Sequence, residues 1–101
     1  MQEQITRKFL LGFISIHILH HAKEEPIYGS WMLDELKHHG YDISPGTLYP
    51  ILHSLESSGL LSKEEKVVEG KVRKYYSITK KGQETLEETV AKAKELFDEI
   101  K

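Results

Sequence analysis

The 101-residue sequence contains no cysteine. Neither a disulfide framework nor a thiolate-ligated zinc centre can hold the fold, and nothing argues for an oxidising compartment. Long hydrophobic runs are also missing. The richest stretch, Phe9 to Leu19, is interrupted by Gly12, Ser15 and His17. It is too short and too polar for a membrane span or a secretory leader, so a cytoplasmic protein is expected. No long linker, internal repeat or low-complexity tract is found. One domain is expected, with a small core of the kind that often shares apolar surface with a partner.

An excess of positive charge is absent as well. The formal net charge is −2, which by itself does not suggest a nucleic-acid binder, because phosphate affinity usually comes from a basic surface. The distribution of charge points the other way. Residues 62–81 carry seven cations against three carboxylates, half of all the Lys and Arg in the chain, while residues 24–61 carry one cation against six carboxylates. Residues 1–23 are mildly basic and residues 82–101 acidic. A solvated loop could also be basic, so the setting of the 62–81 segment has to decide its role.

Periodicity supplies that setting. From Ile5 to Ala22 apolar residues fall on most sides of a helix, with Ile5, Phe9, Phe13 and Ile16 on one stripe. Glu24, Glu25 and Pro26 end it. Gly29 is expected to precede a second helix, whose Met32, Leu33 and Leu36 form a narrow core stripe before Gly40 stops it. Ser44 is placed to cap the amides of a third helix, with Pro45 at its first position, where no backbone bond is lost. Leu48, Ile51, Leu52 and Leu55 then recur at helical spacing up to Gly59. Pro50 predicts a slightly loosened helix start. After Gly59 the period changes to two, turning at Glu69-Gly70 and returning from Val72 to Thr79, which is the pattern of a hairpin. Thr79 is positioned to cap a last helix, along which Leu86, Val90, Ala93, Phe97 and Ile100 form a coiled-coil-like seam.

The fold class expected is mainly α with a β-hairpin: a winged helix-turn-helix over residues 1–82 and a C-terminal dimerisation helix over 83–101. In such an order the third helix enters the major groove and the hairpin flanks it. At 100° per residue, Gly46, Pro50, His53 and Ser57 lie opposite the apolar face of the third helix, flanked by Thr47, Tyr49 and Ser54. That outward face has hydrogen-bonding groups, small residues near its start and a single carboxylate, Glu56, as close approach to phosphate requires. In the hairpin, Lys71, Arg73 and Lys74 sit at the tip and along the returning strand, followed by Tyr75 and Tyr76. Tyr75 is expected outward and Tyr76 in the core. The DNA-binding set expected is therefore Ser44, Gly46, Thr47, Tyr49, Pro50, His53, Lys71, Arg73, Lys74 and Tyr75. Phe9 and Phe13 with the seam residues Leu86, Val90, Ala93, Phe97 and Ile100 form the expected dimer contact.

Taken together, Tyr28-Gly29, the string from Ser44 through Pro45-Gly46-Thr47-Leu48-Tyr49-Pro50 to Leu52, Leu55-Glu56, Gly59-Leu60-Leu61 and the string Arg73-Lys74-Tyr75-Tyr76-Ser77-Ile78-Thr79 through Gly82 resemble the PadR-type transcriptional regulators, over roughly residues 9 to 82. The resemblance implies a dimeric repressor on palindromic operators, with the C-terminal helix making the dimer, in the small form with a single such helix. Some relatives respond to phenolic acids or flat hydrophobic drugs, which implies a possible small aromatic effector; no residue identifies one.

Other classes of function fit less well. His17 and His21, spaced i,i+4 with His20 adjacent, could share a metal ion, but no cysteine or carboxylate is expected at supporting spacing within that helix. A polar edge on a buried helix accounts for them, and no metal or cofactor is expected. His38-His39 suit a helix C-terminus. No nucleophile-elbow, phosphate-loop or hydrolase pattern occurs, so no enzyme is expected. A winged helix serving protein–protein contact is the alternative, against which the basic wing speaks. Trp31 reads as core packing.

Overall fold

The computed structural model describes residues 2–101. The elements run α1 (Gln2–Glu24), α2 (Gly29–His38), α3 (Pro45–Ser57), β1 (Leu61–Val68), β2 (Lys71–Ile78) and α4 (Lys80–Ile100). This is the mainly helical winged fold expected.

Both α2 and α3 close by the same chemistry. Gly40 (φ +88°) and Gly59 (φ +80°) sit just past the two helices in the left-handed region that costs glycine little. Each lets two amides turn back. Gly40 N–H donates to the Lys37 carbonyl and Tyr41 N–H to that of Leu36; Gly59 N–H donates to Glu56 and Leu60 N–H to Leu55. These are Schellman closures, and they satisfy carbonyls a helix end would leave bare.

The starts differ from expectation in two places. Gly29 is the first residue of α2 rather than its forerunner, with extended Tyr28 as the cap. The Tyr49 ring fills the space where a Cβ would stand at Gly29, 2.5 Å from its nearest ring carbon, so a side chain there would push the exposed Tyr49 ring aside. Ser44 does occupy the N-cap of α3, but its hydroxyl makes no capping bond. It lies 3.5 Å from the Thr47 hydroxyl instead, and the Thr47 and Leu48 amides bond to the Ser44 carbonyl. The helix runs continuously through Pro50.

The hairpin turns on Glu69 (φ +51°) and Gly70 (φ +78°), a two-residue turn with both central residues left-handed, whose twist matches that of the strands. The register pairs Leu61 with Ile78, Lys63 with Tyr76, Glu65 with Lys74 and Val68 with Lys71. Ile27 bonds both ways to Tyr76, at 2.9 and 2.7 Å, so the outer edge of β2 is tied to the α1–α2 connection. That bond pair fixes the base of the wing against the helices.

The core gathers Ile14, Ile18, Leu19 and Ala22 of α1, Ile27, Met32 and Leu36, Leu48 and Leu52 of α3, Leu61, Tyr76 and Leu86. Tyr76 is thus a core residue, as expected, and Trp31 packs half-buried against the same cluster. α4 is locked at its start. The Thr79 hydroxyl accepts from Gly82 N–H at 3.0 Å and donates to the Gly59 carbonyl at 2.6 Å, while Gly82 lies so close under the Leu60 carbonyl that no Cβ fits. Leu86 follows one turn later and enters the core of its own protomer.

Candidate nucleic-acid interface

Between the outward face of α3 and the hairpin lies an open groove of about 700 Å³. α3 contributes Tyr49, His53 and Glu56, the start of α2 contributes Tyr28, Gly29 and Ser30, and the wing contributes Lys63, Lys71, Arg73 and Lys74. Strand alternation explains why Lys63 and Lys74 face this side: in the register they share the face of core residues Leu61 and Tyr76. The far end of the same face carries Val67 and Val72, which are exposed.

The opposite face of β2 carries Lys71, Arg73 and Tyr75. The Arg73 guanidinium lies over the Tyr28 ring at 4.2 Å and donates to the Tyr75 hydroxyl at 3.4 Å. That hydrogen bond raises the Arg73 pKa further above its ordinary value. The Tyr28 ring meets Tyr75 edge-on at 5.5 Å, with the Lys66 ammonium 5.4 Å from the Tyr75 ring. Tyr75 does point away from the core face, but it is half-covered by this stack rather than free. The arrangement holds a permanently charged planar fork in place at the groove edge, the geometry that matches a phosphate.

The expected site residues therefore divide into groups. Tyr49, His53, Lys71, Arg73 and Lys74 are brought together around the groove. Ser44, Gly46 and Pro50 lie exposed and Thr47 half-buried at the start of α3, outside the groove lining but on the same helix. Tyr75 stands behind the wing, where it positions Arg73. Sequence reasoning missed Lys63 and Tyr28. Lys63 was legible as part of a two-residue period with Leu61; Tyr28 stands out in the sequence only within the motifs that carry the resemblance, and the fold alone places it under Arg73.

A second surface is apolar and uncovered. On α1, Ile5, Phe9, Leu10 and Phe13 are exposed, and on α4 so are Val90, Leu96, Phe97 and Ile100. Ala93 is exposed on the same helix. Leu86 is the exception in the expected dimer set: it is 5% exposed and belongs to the core cluster of its own protomer. The seam therefore has a partner within the protomer at its first position, which corrects the expectation that all five residues are free for a second chain.

Three helices, a basic hairpin fixed against them and a groove between α3 and that hairpin define a winged-helix DNA-binding regulator. The Transcriptional regulator PadR-like family matches residues 18–88, and the chain belongs to this family. It is similar to the transcriptional regulator Rv3488 of Mycobacterium tuberculosis, with 45% identity over 94 residues, 93% of this chain and 88% of that protein. Among solved structures it is similar to a PadR-like transcription factor from Bacteroides fragilis, at 34% identity and TM-score 0.84 over 96% of this chain and 95% of that one. A PadR-like regulator from Bacillus cereus gives 32% identity and TM-score 0.82 over 92% of each chain. The protein is a transcriptional regulator and not an enzyme. No helix among the described residues is long and apolar enough to cross a membrane.

Proposed function

We propose that the protein is a cytoplasmic, homodimeric repressor that sets α3 into the major groove of a palindromic operator and holds the flanking phosphates with its wing. The observation that carries this reading is the convergence of Lys63, Lys71, Arg73 and Lys74 on the groove that the outward face of α3 opens. In this reading Thr47, Tyr49 and His53 meet bases or the adjoining backbone, with Ser44, Gly46 and Pro50 giving the helix a slim, uncharged entry. Phe9, Phe13, Val90, Ala93, Phe97 and Ile100 join the two copies, and a two-fold dimer calls for an operator of matching symmetry. A small aromatic effector would occupy the apolar cleft of about 440 Å³ between α1 and α4, lined by Phe13, Ile16, Tyr41, Leu86 and Val90.

The test separates gripping from reading. Replacing Arg73 and Lys74 by Ala should weaken binding to operator and random duplex alike and lower the slope of log affinity against log salt by roughly two, about one for each phosphate no longer neutralised. His53→Ala should cost on the order of 1–3 kcal/mol on the operator and much less on random DNA. Gel shifts of both variants across a salt series decide it. An unchanged slope for the wing pair would show that the basic hairpin does not meet DNA.

A further inference from the structure

α1 carries His17 and His21 one turn apart, with rings stacked at an interplanar angle of 14°. The fold brings a third imidazole to them. His39, the C-cap of α2, has its ring centroid 4.6 Å from that of His17 and 6.1 Å from that of His21. Each of the three presents a ring nitrogen within 4.8 Å of the other two. The Glu35 carboxylate approaches two of these rings from α2: one of its oxygens lies 3.1 Å from His39 Nε2 and 3.3 Å from His21 Nε2. The second contact is out of line for a hydrogen bond, so His21 Nε2 is buried without a hydrogen-bonding partner.

We propose that His17, His21 and His39, with Glu35 as fourth ligand, bind a divalent transition-metal ion of the zinc class, and that this ion tunes DNA affinity. Ligand lengths of about 2.0–2.1 Å set the edges of a tetrahedral site at about 3.4 Å. The Glu35–His39 and Glu35–His21 separations are already close to that value. The remaining approach is within reach of side-chain rotation, His39 being exposed at a helix end. Three imidazoles and a carboxylate suit zinc, cobalt or nickel better than a thiophilic ion or a hard, oxygen-seeking one. Burial lowers the pKa of both His17 and His21 from the ordinary 6.5, which leaves their nitrogens uncharged and able to ligate at neutral pH.

The placement gives the ion leverage. It would staple α1, on which α4 packs, to the C-terminal end of α2, which a short loop joins to the start of α3 at Pro45. An ion that binds one setting of α2 and α3 better than another shifts the population towards it, and DNA affinity follows. This second half of the proposal rests on the DNA-binding reading above.

Untagged, chelator-stripped protein titrated with Zn²⁺ by calorimetry should take up one ion per chain, and Co²⁺ should give the intense visible bands of a tetrahedral nitrogen and oxygen site. His39→Ala should weaken binding by at least the roughly 10–100-fold that losing even an outer partner of a ligand costs. Its fold is checked by circular dichroism, and Glu35→Gln serves as the second, independent variant. His20→Ala should take up the ion as the unaltered chain does. No uptake, or loss of uptake in His20→Ala with retention in His39→Ala, overturns the site; the latter would move it to the His20, His21 and Glu24 group that lies beside it. Zn²⁺ should change duplex affinity in the unaltered protein and not in His39→Ala. Equal affinity with and without Zn²⁺ overturns the regulatory role. Absence of duplex binding in either state, with calorimetry intact, counts against the DNA reading and not against the metal site.

Discussion

At the scale of single residues, burial decides what a polar group does. Tyr76 is 7% exposed and belongs to the core beneath the wing. Burial, with Glu56 and Tyr49 adding to it, raises its phenol above the ordinary 10.0. The folded protein therefore favours the neutral phenol more than the unfolded chain does. Its contribution to stability is complete below pH 10.0 and is lost as pH rises from there through the raised folded value. Thermal melts from about pH 8 to about pH 11 should show an extra decline in Tm above roughly pH 10 that the Tyr76→Phe variant lacks. Parallel curves for the two proteins would mean that the phenol is solvated. Arg73 shows the opposite management of charge: its guanidinium keeps its positive charge at the surface and is oriented by Tyr28 and Tyr75.

At the scale of elements, two helix starts that look alike in sequence differ in chemistry. Ser44 and Thr79 both stand at N-caps with extended backbone. Only Thr79 uses its hydroxyl, accepting from Gly82 N–H and donating to the Gly59 carbonyl, and so it joins the end of α3 to the start of α4. Thr79→Ala should cost on the order of 1 kcal/mol, within the roughly 0.5–2 kcal/mol range of lost caps. Ser44→Ala should fall within about 0.5 kcal/mol of the unaltered protein, as a surface substitution does. Urea denaturation at one fixed protein concentration reads both, the fixed concentration being needed because association adds to apparent stability. A cost for Ser44→Ala equal to that of Thr79→Ala would show that the Ser44 hydroxyl caps in solution.

At the scale of the whole molecule, the chain reaches 50 Å along its longest axis while its core draws on only the first part of α4. Burial along α1 and α4 falls off in the same way. Ile14, Ile18, Leu19 and Ala22 are covered, whereas Phe9 and Phe13 are not; Leu86 is covered, whereas Val90, Phe97 and Ile100 are not. If those surfaces join two copies, Phe97→Glu should give a folded monomer by light scattering at micromolar concentration. The same variant should lose operator affinity, because each half-site would be held alone. Leu86→Ala should behave differently, costing about 2–5 kcal/mol of protomer stability as a core truncation. An unaltered chain that scatters as a monomer would remove the dimer and its palindromic operator together.

What the sequence by itself determined is local. Periods of about 3.6 and 2 residues placed the helices and the hairpin. Gly40 and Gly59 fixed where helices stop, Glu69-Gly70 fixed the turn, and Pro45 with Thr79 fixed where helices start, because each is a matter of backbone conformation within a few residues. The charge asymmetry of residues 62–81 and the outward face of α3 were legible for the same reason. Periodicity tells which side chains share a face of an element, but not which other element covers that face. Only the tertiary structure therefore decided that Leu86 lies inside the protomer, that the Tyr49 ring lies against the bare backbone of Gly29, that Tyr28 supports Arg73, and that His39, from a different helix end, stands beside His17. Each is a contact between segments whose approach is set by how the core closes, and no local pattern records it.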